Sequence, residues 1–330
     1  MIVSRTPLRI CLGGGGTDLP SYYSINNGMV ISMAINKYIY TTFKPDDFER
    51  KIKLRYSQIE VVDNPRDLKN TRARELLSMH GIGGCEINTC ADLPSNTGLG
   101  SSGAFLVGMS HCIREYFNFN QTAHTLAEEA CHIEINILQE PVGKQDQFIA
   151  AYGGVKIFNI DKNGMVKVSP LVIPNISALI PNMRLYYLNK KRDASEVLGD
   201  QQKLKGNTQN VLDKVKELGY DTIRLLSSGS FDEYGRLLDE YWQYKKQLSD
   251  KISLTEVDLL YEHVKTHYNV LGGKIIGAGG GGFLMLYCTT SSNEIDEFMW
   301  KSGYQRLYYD LDHDGSTILG NFLPKNDLFI

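Results

Sequence analysis

Pro94-Ser95-Asn96-Thr97-Gly98-Leu99-Gly100-Ser101-Ser102-Gly103-Ala104 stands between two patterned stretches. Before it, Cys85-Glu86-Ile87-Asn88-Thr89 alternates as a strand with one buried face; after it, Ala104, Val107, Gly108, His111, Cys112 and Glu115 fall at helical spacing. Glycines let backbone N–H groups approach an anion closely, and a helix start adds unpaired donors and the positive end of the dipole. The segment therefore reads as a phosphate cradle. Two commoner templates fail on it. Gly98-x-Gly100-x-x-Gly103 has the letters of a dinucleotide fingerprint, but Glu115 falls inside the expected helix instead of ending the next strand. Gly98-x-x-x-x-Gly103 opens a P-loop, yet Ala104 and Phe105 stand where Lys and Ser or Thr are required.

Toward the N-terminus, Val3 to Leu12, Met29 to Phe43 and Ile52 to Val62 are rich in Ile, Val, Tyr and Thr and predict strands. Between the first two lies Gly13-Gly14-Gly15-Gly16-Thr17-Asp18. Consecutive glycines are costly to order, which suggests a backbone that meets a ligand, with the Asp18 carboxylate offered to hydroxyl groups. Toward the C-terminus, Thr122 can cap a second helix whose stripe is Leu126, Ala130, Ile133 and Ile137. The strand-like Val155 to Ile160 closes the first half. The Pro-containing stretch from Ser169 to Pro181 marks a boundary, giving domains 1–170 and 171–330. The second half opens with a strand, Met183 to Leu188, and is helical from about Ala194 to His267. A third glycine run, Gly277-Ala278-Gly279-Gly280-Gly281-Gly282, precedes the strand Phe283 to Cys288; a strand after it again excludes the dinucleotide reading.

With 330 residues, 42% of them hydrophobic, the chain is large enough for two cores. A net charge of −3 with dispersed Lys and Arg gives no broad field for nucleic acid or membrane, so small-molecule partners are expected, and a homo-oligomer is compatible with the composition. The six cysteines form no C-x-x-C pair and read as free thiols. The first residues lack the order of a signal peptide, and no apolar stretch nears the ~20 residues of a membrane span, so a cytoplasmic protein is expected.

The three glycine runs, in this order, resemble the GHMP kinase family (galacto-, homoserine, mevalonate and phosphomevalonate kinases). Pro94 with Gly98-Leu99-Gly100-Ser101-Ser102 reproduces the family's second motif; Arg9 through Asp18 looks like the first and Gly277 through Gly282 like the third. The resemblance implies an α/β two-domain fold with the active site between the domains. It also implies ATP and Mg²⁺ as cofactors. Arg5-Thr6-Pro7-Leu8-Arg9-Ile10, the run Gly13 to Pro20 and Glu140-Pro141-Val142-Gly143-Lys144-Gln145-Asp146-Gln147 resemble the branch that acts on heptose phosphate.

The roles that the resemblance implies are these. Pro94, Gly98, Leu99, Gly100, Ser101, Ser102 and Gly103 wrap the ATP phosphates, with Ser101 or Ser102 turned to the metal. Glu134, seven positions before Pro141, is the carboxylate for Mg²⁺, a cation that takes hard oxygen ligands. Asp146 accepts or orients the proton of the attacking hydroxyl, and Arg9 beside it keeps that carboxylate ionised. Gly15, Gly16, Thr17 and Asp18, with Gly279 and Gly280, bind the sugar. Arg192, in Lys190-Lys191-Arg192 with Ser195 nearby, takes the sugar's own phosphate; Arg72 and Arg74 are second candidates. The alternatives are a GHMP kinase for a free sugar such as fucose or another hexose, an NAD-dependent sugar-nucleotide oxidoreductase, and a non-catalytic sugar sensor. The joint presence of Arg9, Ser102, Glu134 and Asp146 speaks against the sensor, because binding alone does not need them.

Overall fold

The computed structural model describes residues 1–190, 208–289 and 293–324. Apolar alternation in the first half produces β1 (Ile2–Gly13), β2 (Gly28–Pro45), β3 (Ile52–Arg55), β4 (Ile59–Val62), β5 (Cys85–Ala91), β6 (Val155–Ile160) and β7 (Val166–Pro170). Together with β12 (Thr317–Asn321) they form an eight-stranded sheet in the order β12-β1-β2-β5-β3-β4, with β6 on β2 and β7 on β6. The long β2 serves two partners: Gly28 to Met33 pairs with β6, and Ile39 to Pro45 pairs with β5. The pairing is antiparallel except between β3 and β5. The stretch expected as one strand, Ile52 to Val62, is a hairpin whose turn is closed by the Tyr56 N–H to Gln58 carbonyl bond of 2.8 Å.

Two short helices, α1 (Pro20–Asn26) and α2 (Thr71–Met79), precede the helix expected after Gly100, α3 (Ser101–Tyr116), which packs on β1 and β2 with α4 (Ala123–Cys131) and α5 (Gln145–Tyr152) beside it. Thr122 caps α4 by accepting from the Thr125 N–H. Beyond Cys131 the helix widens into a π-helical segment, His132–Ile137. One extra residue per turn rotates the faces, so Glu134 is 0% exposed and Ile137, expected on the apolar stripe, is 41% exposed.

The smaller sheet, β11-β8-β10-β9, comes from β8 (Met183–Tyr187), β9 (Val270–Ile275), β10 (Phe283–Cys288) and β11 (Gln305–Leu307). Helices α7 (Thr208–Ser228), α8 (Phe231–Lys246) and α9 (Thr255–His267) supply its cover: α8 and α9 lie on β9, and α7 joins α8 to β1 and β2. A short helix, α6 (Ile176–Asn182), fills the Pro-containing stretch read as a boundary. The main apolar core runs from the larger sheet into Met183, Leu185, Tyr234, Ile276 and Met285, and a second core sits around Trp242, Tyr186 and Leu284. Strand β12 returns the end of the described chain to β1. All six cysteines are free, as expected.

Candidate active site

The glycines between β5 and the helix beginning at Ser101 place a largely buried ion pair against a helix start. Arg9 sits on β1 and is 4% exposed. Its Nε donates to Asp146 Oδ1 at 2.7 Å, another guanidinium N–H donates to the Gly98 carbonyl, and its backbone N–H donates to the Leu99 carbonyl at 3.0 Å. Asp146 lies in the first turn of α5. A Cβ on Gly100, where φ is +79°, would come 3.1 Å from Arg9 Cγ and 3.4 Å from Asp146 Oδ2; one on Gly103 would come 3.0 Å from Asp146 Cβ. Only glycine lets the loop close over this pair.

The second and third glycine runs meet backbone to backbone. A Cβ on Gly98 would lie 2.5 Å from the Ile276 carbonyl, one on Gly277 2.7 Å from Gly98 Cα, and one on Gly282 2.2 Å from the Thr97 carbonyl. Two loops far apart in sequence thus form one wall of a cavity bordered by Gly98, Gly100, Ser101, Ser102, Gly277 and Ala278. Pro94 lies before this wall and its carbonyl accepts from the Thr97 hydroxyl; Leu99 is 0% exposed and anchors the loop in the core.

Gly15, Gly16 and Asp18 border the same cavity. Asp18 is 1% exposed and accepts from the backbone N–H groups of Gly16 and Gln145, each at 3.1 Å. Burial pushes its carboxyl pKa up despite these bonds, and the neighbouring Asp146 charge adds to the rise. Gly14 and Thr17 have structural partners: a Cβ on Gly14 would lie 2.1 Å from the Met29 carbonyl, and the Thr17 hydroxyl donates to the Gly14 and Met29 carbonyls. Gly279 and Gly280 pack on Ile252, the Gly280 N–H donating to its carbonyl at 2.7 Å, and neither is among the cavity residues.

Glu134 stands behind the cavity. Its carboxylate accepts from Arg72 Nε at 2.7 Å and from the Gln147 amide, and Arg72 also binds Glu140. Arg74 is paired with Glu75, and Lys190 with Glu256. Arg192 and Ser195 lie outside the described residues. Among the described residues no cluster of three His, Cys, Asp or Glu could hold a metal by itself. The donor set nevertheless suits Mg²⁺ shared with phosphates: Ser102 borders the cavity, Glu134 supplies a hard carboxylate, and Gln147, which borders the cavity and donates to Glu134, has its Oε1 buried without a hydrogen-bond partner.

Of the other cavity residues, Cys11, Asn96, Val142, Gln145 and Gln147 fall inside the quoted motifs without an assigned role, and Lys245 lies outside all of them. Lys245 carried a legible signal. Leu238, Tyr241, Trp242 and Lys245 share one face of α8, and the first three are buried, so the lysine continues an apolar stripe.

A glycine-cradled helix start facing a buried Arg–Asp pair, on this two-sheet framework, defines a small-molecule kinase. Residues 69–154 match the GHMP kinases N terminal domain, and the chain has the fold of GHMP kinases. It is 28% identical to the D-glycero-alpha-D-manno-heptose 7-phosphate kinase of Campylobacter jejuni, over 92% of this chain and 94% of that one. It is 24% identical to the galactokinase of Thermotoga maritima over 93% and 95%. The crystal structure of a D-glycero-D-manno-heptose 1-phosphate kinase from Bacteroides thetaiotaomicron superposes with a TM-score of 0.80 at 22% identity, covering 98% and 100%. Among the described residues no helix is long and apolar enough to cross a membrane.

Proposed function

We propose that this kinase uses ATP and Mg²⁺ to phosphorylate the anomeric hydroxyl of D-glycero-D-manno-heptose 7-phosphate, giving heptose 1,7-bisphosphate in the cytoplasm for surface polysaccharide synthesis. The observation that carries the phosphotransfer reading is the Arg9–Asp146 pair enclosed by Gly98, Gly100 and Gly103. Similarity to the Campylobacter jejuni enzyme over nearly the whole of both chains supports the heptose phosphate.

In this reading the backbone N–H groups around Gly98 to Gly103 and the start of α3 hold the ATP phosphates. Ser102 and Glu134 hold Mg²⁺, which when bound neutralises charge on the phosphate oxygens. Arg72 already binds Glu140 as a second partner, which would keep the guanidinium paired with Glu134 turned to the metal. Asp18, fixed by two backbone N–H groups, orients the ring hydroxyls, with Gly15 and Gly16 leaving room for the sugar. Asp146 takes the proton of the anomeric hydroxyl as its oxygen attacks the γ-phosphorus, and the bond to the β-phosphate oxygen breaks to leave ADP. Arg9, bonded to Asp146, orients that carboxylate and balances charge as it develops. Arg192 is proposed to grip the sugar's phosphate.

The test is ADP release from ATP and Mg²⁺ across a panel of sugars and sugar phosphates, with the product bond located by phosphorus NMR. An anomeric phosphate on heptose 7-phosphate is expected. Release of ADP only with fucose or another unphosphorylated hexose would install the free-sugar reading.

A further inference from the structure

The cavity carries cationic charge that the mechanism above leaves unused. Lys245, at the end of α8, borders the cavity, is 6% exposed, and donates to the Gly277 carbonyl at 2.5 Å. Lys274, on β9, is 1% exposed; its ammonium has no hydrogen-bond partner and lies 4.1 Å from the centroid of the Tyr241 ring. Among the described residues neither lysine forms an ion pair with a carboxylate. The groups facing Lys245 are Lys274 from β9, Arg9 and Cys11 from β1, and Asp18 from the glycine loop. Both nearby carboxylates have other partners: Asp18 is held by backbone N–H groups and Asp146 by Arg9. A buried ammonium with no counter-ion is expensive, and two side by side repel each other. With Lys245 on the cavity wall and Lys274 buried behind it, such a pair is balanced when an anion enters.

We propose that Lys245, backed by Lys274, binds a phosphate group from the second half of the chain, opposite the loop of Gly98 to Gly103. This rests on the kinase reading and deepens it. Lys245 also fixes the Gly277 carbonyl, and Gly277 abuts Gly98, so the cation and the phosphate loop are registered against each other. The phosphate is either the γ-phosphate of ATP or the sugar's own, since the ammonium recognises the same oxygens in each. Lys274 is a positioning residue that adds positive potential from behind.

One consequence separates this role from a merely structural one. Burial, with Lys274 adding to it, pushes the Lys245 ammonium pKa down to about 7, so above that pH the empty site holds it mostly neutral. An arriving phosphate dianion restores the charge, and a proton is taken up from solution.

The experiment is calorimetric titration of the full chain at pH 8 in two buffers of different ionisation enthalpy. One arm uses a non-hydrolysable ATP analogue with Mg²⁺, the other heptose 7-phosphate. Wild type is expected to take up protons with one of the two, which identifies the source of the phosphate. Lys245→Met should abolish that uptake and weaken that ligand by about tenfold or more, leaving the other nearly unchanged. Lys274→Met should reduce the uptake and raise the ligand-free melting temperature, because an unpaired buried charge is removed. If Lys245→Met does not fold, Lys245→Gln supplies the comparison. Unchanged affinity and unchanged uptake with both ligands overturns the proposal. If heptose 7-phosphate fails to bind at all, the substrate assignment falls, and the lysine proposal then stands or falls on the nucleotide arm.

Discussion

Arg9 and Asp146 are 137 residues apart in sequence, yet Arg9 Nε lies 2.7 Å from Asp146 Oδ1, joining the first strand to the first turn of α5. The pair sits under the phosphate loop, where the guanidinium fixes the orientation of the carboxylate that is proposed to accept a proton. Asp146→Asn is expected to lower kcat by ~10²–10⁴ while ATP affinity changes little, as for loss of a positioned acid or base. Steady-state kinetics with ATP titrated at saturating sugar reads both quantities. Near-wild-type turnover in a folded variant would remove Asp146 from the mechanism.

Glu134 is fully buried and bound to Arg72, whose side chain is 23% exposed. Glu134→Gln exchanges a hard anionic ligand for a neutral amide and leaves Arg72 with Glu140. The Mg²⁺ concentration for half-maximal activity should rise as kcat falls, with some loss of thermal stability. A Mg²⁺ titration that overlays wild type would make Glu134 only the anchor of Arg72.

Gly143 gives a probe of Asp18 that leaves the carboxylate in place. A Cβ at Gly143 would lie 2.0 Å from Asp18 Oδ2, a contact no side chain can tolerate, so Gly143→Ala must displace Asp18. A shift of this order in a positioning group costs about 10²-fold. The loss is expected in kcat/KM for the sugar, with KM for ATP little altered. Equal sugar kinetics in the variant would show that Asp18 does not orient the substrate.

Stability should fall on mild acidification because of His111, 8% exposed and 3.0 Å from the Ser316 hydroxyl. Burial pushes its pKa down to about 4, so below the ordinary value near 6.5 the unfolded chain binds a proton that the folded chain refuses. Folding stability is therefore full above about pH 6.5 and declines toward pH 4, by ~3 kcal/mol at most. Glu129 acts lower down: against burial, bonds from His80, Arg114 and Ser110 hold it to about 2, and its contribution is lost only below the ordinary carboxylate range. Urea midpoints at pH 7 and pH 5 should differ in wild type and converge in His111→Gln. An equal pH slope in both chains would contradict this.

Local patterns in the sequence identified most of the framework. Val155–Ile160 and Phe283–Cys288 are strands with the expected bounds, Thr122 caps the helix it was expected to cap, and the three glycine runs lie beside strands. What escaped depends on contacts distant in sequence or on helix geometry. The return of β12 to β1 is a pairing across some three hundred residues that no local pattern encodes. The π-helical turn at His132–Ile137 buries Glu134 and exposes Ile137 through an extra residue that periodicity at 3.6 cannot register. The residues around the cavity were legible where a motif carried them, as with Arg9, Asp18 and Asp146. They were not where the signal was chemical: Lys245 on an apolar stripe, and Lys274 within a buried strand, are visible only once a lysine among buried neighbours is treated as an anomaly.

The claim that the acceptor is a sugar already carrying a phosphate is tested most directly by kcat/KM for heptose 7-phosphate and for unphosphorylated heptose, measured with the same enzyme at saturating ATP and Mg²⁺. A phosphate held by charge-assisted hydrogen bonds should favour the phosphorylated sugar by about 10²-fold or more. Equal efficiency on the two sugars would contradict the assignment and leave a kinase for a free sugar.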